Sequence, residues 1–418
     1  MKIALVCNAY PPEFVGGTEL VVAAQAKALI EAGHEVRVIC GSQEKRKGFR
    51  PYTENVAGVP VTRIVKTKVE DSTAHWQFAR MVRVVSEAVE GCDLVHVHHW
   101  ASISGDLVRR LSRKLPVVLT VHDYYASCPR FFRTPQNGLH CPSTRPTGDC
   151  VKCILPMVGD HLPADIQQRL TERWKNFRAE LDKARYVISP SRSLAEALSH
   201  QMEVDASHWQ VIPHGLCREL PRVAPRERNG DPLTVLSFGN RSEIKGTLDL
   251  VRAAAQLEPG MLRLILPGTE VQVGFDDQLR QAAGHLELEL PGRFNGQELA
   301  QYAARSDLAA FPSRAPESYG LVVEEALAMG LPTWVSDRGA LPEVLANCAG
   351  RGPLPGGVLP AENPDAWARL FSELANSPNK LQDAARSVPQ QTKSAERAIQ
   401  LQLELYKEIL DGHSSKPL

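Results

Sequence analysis

The sequence has no excess of charge of either sign and no long apolar run. Its 418 residues include 48 basic and 48 acidic side chains, so composition gives no indication of a nucleic-acid partner. No apolar stretch approaches the roughly 20 residues that cross a bilayer. The N-terminal "MKIALVCNAYPP" lacks the apolar core and cleavage site of a signal peptide. We therefore expect a cytoplasmic protein whose first residues form a strand.

One basic segment bears on localisation. "EKRKGFR", Glu44–Arg50, could touch an anionic membrane surface or form a solvated loop. A peripheral contact at the inner face of the cell membrane is therefore kept as an alternative to a fully cytoplasmic protein.

Short apolar runs alternate with helical patterns along the chain. "KIALVC", "TELVVAAQAKALIEAG" and "HEVRVIC" predict a strand, a helix and a strand, and similar runs continue to about residue 191. A second series extends from "LTVLSFGN" to "PTWVSD". Such alternation favours parallel sheets covered on both faces. We predict an α/β protein with two Rossmann-like, doubly wound domains.

A segment without clear periodicity separates the two series. Residues 213–232, "PHGLCRELPRVAPRERNGDP", are rich in Pro, Arg and Gly, which is typical of a linker. The predicted domains are residues 1–212 and 233–391, followed by a C-terminal helix and tail at 392–418. Ligands of such sheets bind at the carboxyl ends of the strands, so the expected site is a cleft between the domains.

Two glutamates, Glu317 and Glu325, flank the start of an apolar helical segment in "PESYGLVVEEALAMGLP". Gly320 lies near the predicted helix start, where unpaired N–H groups and a partial positive charge suit a phosphate. Glu325 has apolar neighbours at helical spacing, so a buried carboxylate there needs partners such as the vicinal hydroxyls of a sugar. Glu324 is expected to be a solvated surface acid.

These segments resemble the retaining glycosyltransferases of family four, which have the GT-B fold. The spacing of Glu317 and Glu325 matches that family's paired-glutamate motif, and "ALAMGLP" is its usual continuation. Other similar segments follow in the family's order: "PPEFVGGTELVVAAQAKALIEAGHEVRVIC", "DLVHVHH", "TVHD", "VISPS", "VIPHG", "IKG", "DLAAFPS" and "ALPEVL". The resemblance implies that the first domain binds an acceptor and the second a nucleotide-sugar donor.

The resemblance also implies roles for the paired-glutamate segment. Glu325 is expected to hold the ribose hydroxyls of the donor, and Glu317 the donor sugar near its 3-hydroxyl. The backbone of residues 319–322 is expected to cradle the diphosphate. The expected donor-binding residues are Gly16, Gly17, Arg241, Lys245, Glu317, Ser318, Tyr319, Gly320, Leu321, Val322 and Glu325.

Two cations are expected near the diphosphate. "FGNRSEIKG" supplies Arg241 and Lys245, and preorganised cations stabilise the charge of a departing nucleoside diphosphate. The resembling family usually has arginine directly after the glycine, where this chain has Asn240. Arg241 can therefore serve only if the loop shifts by one residue, and either cation could instead be a solvated surface group.

The first domain contributes three further candidates. Gly16 and Gly17 in "FVGGTE" would let the chain approach the donor phosphate or the acceptor, unless they form an ordinary turn. His122 in "TVHD" ends an apolar strand, and in the resembling family this histidine lies beside the donor sugar. The candidate catalytic set is therefore His122, Lys245 and Glu317.

A catalytic metal is not indicated. The strand period places His96 and His98 on one face and His99 on the other, so structural or acceptor-side roles are favoured. "FDDQ", Phe275–Gln278, lies in a helical pattern rather than in a DxD loop. Both observations agree with metal-independent transfer and no catalytic cofactor, as the resemblance implies.

Four of the nine cysteines crowd into residues 128–153, within a Pro- and Gly-rich insert at about 124–160. This spacing favours a structural zinc site. A disulfide or redox pair, an iron–sulfur cluster and free thiols are the alternatives. The insert follows His122 directly, so we expect it to shape the acceptor site. The candidate zinc ligands are Cys128, Cys141, Cys150 and Cys153.

The predicted activity is transfer of a sugar from a nucleotide-diphosphate sugar to an acceptor hydroxyl with retention of configuration. The family implies same-face displacement and a glycan or glycolipid acceptor, in surface polysaccharide or lipopolysaccharide assembly.

Two other functions compete with this prediction. A nucleotide-cofactor oxidoreductase should show GxGxxG after a strand, and the sequence has none. The alternative is a non-catalytic, zinc-stapled sugar- or nucleotide-binding protein on a degenerate GT-B fold. The candidate catalytic residues and Glu325 disfavour that alternative, whereas Asn240 favours it.

Overall fold

The computed structural model describes residues 1–42, 44, 51–65, 77–100, 103–135, 141, 145–158, 162–228, 230–390 and 395–412. The basic segment at 45–50 therefore lies outside the described residues. The chain forms two compact units. Unit 1 contains Met1–Pro135, Cys141–Cys217 and Ser394–Leu418, and unit 2 contains Arg218–Lys393. The boundary at 217/218 falls inside the predicted linker, and the C-terminal helix belongs to unit 1.

Each unit is built on one sheet. The strands are β1 (Lys2–Cys7), β2 (Glu35–Ser42), β3 (Tyr52–Val56), β4 (Val59–Val65), β5 (Leu94–Val97), β6 (Val117–Thr120), β7 (Tyr186–Ser189), β8 (Trp209–Val211), β9 (Leu233–Leu236), β10 (Leu262–Ile265), β11 (Glu287–Glu289), β12 (Leu308–Phe311), β13 (Thr333–Ser336) and β14 (Gly356–Leu359). Their orders are β3-β4-β2-β1-β5-β6-β7-β8 in unit 1 and β11-β10-β9-β12-β13-β14 in unit 2. Neighbouring strands run parallel, except that β3 and β4 are antiparallel.

Helices connect these strands. They are α1 (Gly17–Glu31), α2 (Ala79–Ala88), α3 (Leu107–Leu111), α4 (Gly148–Val158), α5 (Pro163–Lys183), α6 (Arg192–Met202), α7 (Thr247–Ala254), α8 (Phe275–Ala283), α9 (Gly296–Ala304), α10 (Leu321–Ala328), α11 (Leu341–Ala349), α12 (Pro364–Asn376), α13 (Pro378–Arg386) and α14 (Ala395–Leu410). Among the helices described, none is both long and apolar enough to cross a bilayer.

The apolar strands are buried on both faces, as the unbroken hydrophobic runs predict. In β1, Ile3 and Leu5 pack into one apolar core of unit 1, whereas Ala4 and Val6 pack into another. Successive side chains of a strand point to opposite faces, so β1 lies between two helical layers. Unit 2 has the same plan, with Val235 in one core and Leu236 in the other.

Helix α14 completes one face of unit 1. Its buried residues Ala398, Ile399, Leu405, Tyr406 and Ile409 join the core that also contains residues of α1. A buried polar network lies in the same layer. The side-chain amide of Gln25 on α1 donates to Gln402 Oε1 at 2.6 Å and to the Tyr406 hydroxyl at 3.0 Å. These bonds pair Gln25 Nε2 with Gln402 Oε1 and the Tyr406 hydroxyl, polar groups that would be costly to bury alone.

Candidate active site

Lys245 and Glu317 meet at the carboxyl edge of the unit 2 sheet. Strands β9 and β12 are parallel neighbours, and the loops that follow them carry Lys245 and Glu317, respectively. Lys245 Nζ lies 2.7 Å from Glu317 Oε1, and the Ser313 hydroxyl donates to the same oxygen at 2.8 Å. The Lys245 side chain is 35% exposed and that of Glu317 12%. The fold thus joins two of the predicted catalytic residues across 72 positions of sequence.

A glycine permits this close approach of the two loops. Gly246 has a φ of +70°, and a Cβ placed on it would lie 1.9 Å from the Pro312 carbonyl oxygen. The backbone N–H groups of Arg314 and Ala315 both donate to the Ile244 carbonyl, at 2.9 and 3.1 Å. Any larger residue at 246 would push the Lys245 loop away from Glu317.

The predicted phosphate cradle lies at the start of α10. Gly320 precedes the helix with a φ of +93°, and a Cβ there would come within 2.5 Å of the Leu341 side chain. Leu321 and Val322 open the helix, whose first turn has N–H groups without partners from a preceding turn. Ser318 and Tyr319 connect this turn to Glu317. The segment therefore presents backbone donors and a partial positive charge beside the Lys245–Glu317 pair.

Glu325 is buried in α10 and paired with an arginine. Arg218 Nε and Nη2 donate to Glu325 Oε1 and Oε2 at 2.7 and 2.8 Å. The Arg218 Cζ also lies 5.8 Å from the centre of the Phe294 ring. Burial raises the pKa of Glu325, while Arg218 acts in the opposite direction. The sequence predicted a required partner for Glu325 but not that Arg218 would provide it.

Arg218 lies in the segment that was predicted to be a linker. A signal for it was available, because a buried carboxylate must be paired and this segment is rich in arginine. The sequence alone did not indicate which arginine reaches α10.

Glu324 is not the solvated acid that the sequence suggested. It is 2% exposed, and its Oε1 accepts a hydrogen bond from the buried Tyr319 hydroxyl at 2.7 Å. The expectation was wrong because α10 is covered on more than one side, with Val323, Ala326 and Leu327 in an apolar core. The hydrogen bond between Tyr319 and Glu324 therefore stabilises the start of α10 in the interior of unit 2.

Arg241 is turned into unit 2 and does not serve as the expected phosphate cation in this structure. It is 4% exposed, and its Nε and Nη2 bind the two carboxylate oxygens of Asp276 at 2.7 and 2.6 Å. Its Nη1 donates to the carbonyls of Leu266, Gly268 and Pro291 at 2.7, 2.8 and 3.0 Å. These contacts use the donors that a phosphate would need, so Arg241 has a structural role here.

His122 follows β6 in unit 1, in a row of buried imidazoles. His122 Nε2 lies 3.0 Å from His98 Nδ1, and the rings of His122 and His214 stack at 5.0 Å. The rings of His98 and His96 stack at 4.2 Å. Burial, with the neighbouring His214 and His98, holds the pKa of His122 well below its ordinary value. His122 is therefore a neutral hydrogen-bonding group at neutral pH.

Gly16 and Gly17 lie at the start of α1 in unit 1. Gly16 is the residue preceding the helix, and Gly17 is its first residue. The Leu20 N–H donates to the Gly16 carbonyl at 3.0 Å. The pair therefore forms a strand-to-helix connection after β1, and a ligand contact at these glycines stays a prediction.

The four clustered cysteines do not form the expected zinc ligand set. Cys141 Sγ accepts from Arg133 Nη2 at 3.8 Å, and Cys150 Sγ accepts from Thr147 Oγ1 at 3.7 Å. Cys153 lies within α4, and burial raises the pKa of the Cys128 thiol. Among the described residues no three His, Cys, Asp or Glu side chains are grouped as metal ligands. This arrangement does not fit a four-cysteine zinc site.

The two doubly wound units with parallel sheets have the GT-B fold, which the solved structures described below share. The chain belongs to glycosyltransferase family 4, because residues 15–219 match the model of Glycosyltransferase Family 4 and residues 223–391 match that of Glycosyl transferases group 1.

Individual relatives are distant but cover nearly the whole chain. A D-inositol 3-phosphate glycosyltransferase from Pseudarthrobacter chlorophenolicus is 25% identical over 95% of this chain and 91% of its own. Sucrose-phosphate synthase from Thermosynechococcus elongatus superimposes with a TM-score of 0.69 at 19% identity, over 98% of this chain and 99% of its own. HepE from Anabaena, in complex with UDP and glucose, superimposes with a TM-score of 0.66 at 17% identity, over 97% of this chain and 99% of its own.

Proposed function

We propose that this glycosyltransferase moves a sugar from a nucleotide-diphosphate sugar to an acceptor hydroxyl and retains the configuration of the transferred sugar. The observation that carries the proposal is the Lys245–Glu317 pair, set directly before the start of α10 in unit 2. A cation, a carboxylate and the N–H groups of a helix start in one place suit a phosphorylated sugar better than any one of them alone.

In this proposal, each part of unit 2 binds one part of the donor. The N–H groups at the start of α10 and the Lys245 ammonium receive the diphosphate. Glu317 binds the donor sugar near its 3-hydroxyl, and Glu325 binds the ribose hydroxyls. The complex of HepE with UDP and glucose shows that a protein of the same fold binds such ligands, which supports a nucleotide-sugar donor here.

The proposed chemical step breaks the bond between the sugar C1 and the phosphate oxygen and forms a bond from the acceptor oxygen on the same face. The acceptor proton passes to an oxygen of the departing phosphate. Lys245 and the helix start stabilise the negative charge that develops on the diphosphate. The scheme uses no metal and no carboxylate nucleophile, and it leaves Arg241 out.

Unit 1 is assigned to the acceptor, which we propose to be a glycan or glycolipid of surface polysaccharide or lipopolysaccharide assembly at the cytoplasmic side of the membrane. His122 can hydrogen-bond a sugar hydroxyl without adding charge, because its imidazole is neutral at neutral pH. The family match over residues 15–219 and the inositol-phosphate relative are compatible with a hydroxyl-rich acceptor.

A thermal-shift panel with UDP, GDP, ADP and their common sugar conjugates tests the donor part. A ligand at a hundred times its dissociation constant adds about 2.7 kcal/mol to the native state. We expect one nucleotide to raise the melting temperature of the wild type and of Glu258→Gln, whose glutamate is exposed in unit 2, but not of Glu325→Gln. Proton NMR of the product's anomeric centre then tests retention.

Two results would overturn this proposal. If no nucleotide or nucleotide sugar shifts the wild type, the donor assignment fails and a binding protein on the same fold becomes the better hypothesis. If a nucleotide binds but the product has inverted configuration, the donor assignment is supported and the same-face displacement is wrong.

A further inference from the structure

Unit 1 carries an aromatic shelf beside His122 that the proposed function has not used. We define the aromatic shelf as His99, Tyr125 and Phe131. The Tyr125 and Phe131 rings stack, with their centroids 4.6 Å apart and an interplanar angle of 21°. The centroid of the His99 ring lies 5.4 Å from that of Tyr125 and 6.3 Å from that of Phe131. Phe131 is nevertheless 42% exposed. A large ring held in a stack and still exposed is a ready surface for another flat apolar face.

The buried side chain of Arg173 fixes the position of the aromatic shelf. Arg173 is 1% exposed, and its Cζ lies 4.5 Å from the Tyr125 ring and 4.5 Å from the Phe177 ring. The Arg173 Nη1 donates to the Ala126 carbonyl at 3.1 Å, and Nη2 donates to the Tyr125 carbonyl. Tyr125 is therefore fixed between a buried guanidinium and Phe131. A surface ordered in advance loses little entropy when a ligand binds.

One side of the shelf is polar. Asp123 Oδ1 accepts the Tyr125 N–H at 2.7 Å, while Oδ2 lies 3.9 Å from His99 Nε2. That separation exceeds a hydrogen bond, and a hydroxyl beside the two groups can reach both. Burial raises the pKa of Asp123 to about 6, so at neutral pH it is a carboxylate that accepts hydrogen bonds. Asp123 is the residue directly after His122, so the polar side of the shelf is adjacent to that histidine in the chain.

We propose that the aromatic shelf and Asp123 form the subsite for a sugar ring of the acceptor. The C–H face of a pyranose stacks on Phe131, and hydroxyls at the ring edge bind Asp123 and His99. This chemistry fits a ligand that is apolar on one face and hydroxylated at its rim. A lipid chain would cover the Asp123 carboxylate without supplying a hydrogen-bond donor. The inference rests on the proposed function for its acceptor role and identifies the acceptor as a glycan.

Saturation-transfer difference NMR on the full chain tests the subsite directly, because it detects millimolar binding and reports which ligand protons touch the protein. The probes are the methyl glycosides of glucose, galactose, mannose and N-acetylglucosamine. We expect at least one to receive saturation on its ring C–H protons. Phe131→Ala should weaken its binding at least about fivefold, given the usual strength of aromatic stacking, and Phe131→Tyr should restore it.

A second variant tests the polar side. Asp123→Asn keeps an oxygen for the Tyr125 N–H but removes the charge, and it should weaken the same glycoside about tenfold. Met157→Ala removes another exposed apolar side chain of unit 1, 47% exposed, and should leave glycoside binding unchanged. Melting temperatures of all variants show whether each one is folded.

The outcomes separate this inference from the proposed function. If nucleotides shift the melting temperature but no glycoside receives saturation, the subsite fails and the donor proposal stands. If glycoside binding survives both Phe131→Ala and Asp123→Asn, the sugar binds elsewhere and the subsite is wrong. Saturation of a nucleotide base that depends on Phe131 would also overturn it, because bases stack on aromatic rings too. If glycosides bind at the shelf and no nucleotide binds, the sugar site stands and its acceptor role falls.

Discussion

Arg218 binds both carboxylate oxygens of Glu325, at 2.7 and 2.8 Å. The proposed donor site gives those same oxygens to the ribose hydroxyls. Arg218 directly follows Cys217, which ends the preceding stretch of unit 1, and it binds the two oxygens that the proposal assigns to the ribose. If the proposal holds, donor binding moves Arg218 or shares Glu325 with it.

Arg218→Met tests whether the arginine competes with the donor. The variant leaves the buried Glu325 without its ion-pair partner, which should lower stability without ligand by about 1–3 kcal/mol. Because no pair then has to be broken, the stabilisation by nucleotide should be larger than in the wild type. Arg222→Met is the matched control, since Arg222 is exposed and donates to the Pro389 carbonyl. A smaller nucleotide response in Arg218→Met would show that the arginine supports the donor instead.

Lys245→Met should slow sugar transfer and leave the fold intact. Removing one preorganised group that stabilises developing charge costs about 10²–10³ in kcat, whereas a partly exposed ion pair contributes at most about 1 kcal/mol to stability. The measurement is kcat with the nucleotide sugar identified by thermal shift. Lys380→Met is the control, because Lys380 is 63% exposed in the same unit. If Lys245→Met and Lys380→Met have the same kcat, Lys245 takes no part in the chemical step.

Arg241→Lys should destabilise unit 2 rather than impair donor binding. Lysine keeps the charge but loses the paired contacts to Asp276 and the three carbonyl contacts, and disrupting a buried pair costs about 3–5 kcal/mol. Urea unfolding measures the loss, with Arg280→Lys as the control because Arg280 is exposed on the same helix as Asp276. If stability is unchanged but nucleotide no longer raises the melting temperature, Arg241 binds the phosphate after all.

Unit 1 should lose stability in acid because of its buried imidazoles. Burial lowers the pKa of His96 and of His214 to about 3. A group with a depressed folded pKa takes up its proton on unfolding, so its contribution is present above about 6.5 and is lost as pH falls towards 3. Asp123 and Glu180 act oppositely, since burial raises their pKa values to about 6 and about 7. Their contributions are present below their ordinary values and are lost as pH rises.

His96→Gln isolates one histidine from this sum. The amide can still hydrogen-bond near Thr120 and Tyr406, but it takes up no proton. Between pH 4 and 6 the stability should therefore fall by about 1.4 kcal/mol less per pH unit than in the wild type. Hydrogen-exchange protection of peptides from β5 and β6 measures the opening free energy. His200→Gln, at an exposed position of unit 1, should keep the wild-type slope, and identical slopes in both variants would contradict the assignment.

The fold could be predicted from the sequence because it depends on regular features. Largely apolar strands such as β1 and β6 are buried in a parallel sheet covered on both faces. The second series of runs corresponds to β9–β13, whereas β14 (Gly356–Leu359) was not predicted. The meeting of Lys245 with Glu317 also follows from topology, since loops after neighbouring parallel strands share one edge.

Side-chain direction was harder to predict. Arg241 and Lys245 lie in one short loop, yet Arg241 points into the unit and Lys245 points to Glu317. Glu324 and Glu325 are adjacent on α10, and both are buried. Tyr319, just before the helix, binds Glu324, whereas Arg218, 107 positions away, binds Glu325. Sequence spacing gives the face of a helix, but not which distant side chain covers it.

The packing of α14 in unit 1 determines where the chain can be truncated. The described residues of unit 2 lie between Arg218 and Gln390. Unit 1 cannot be obtained by stopping translation near residue 217, because Tyr406 and Gln402 would then be missing from the layer around Gln25. A stop codon before α14 would therefore remove side chains from unit 1, and fragments used for complementation should carry α1 and α14 on one piece.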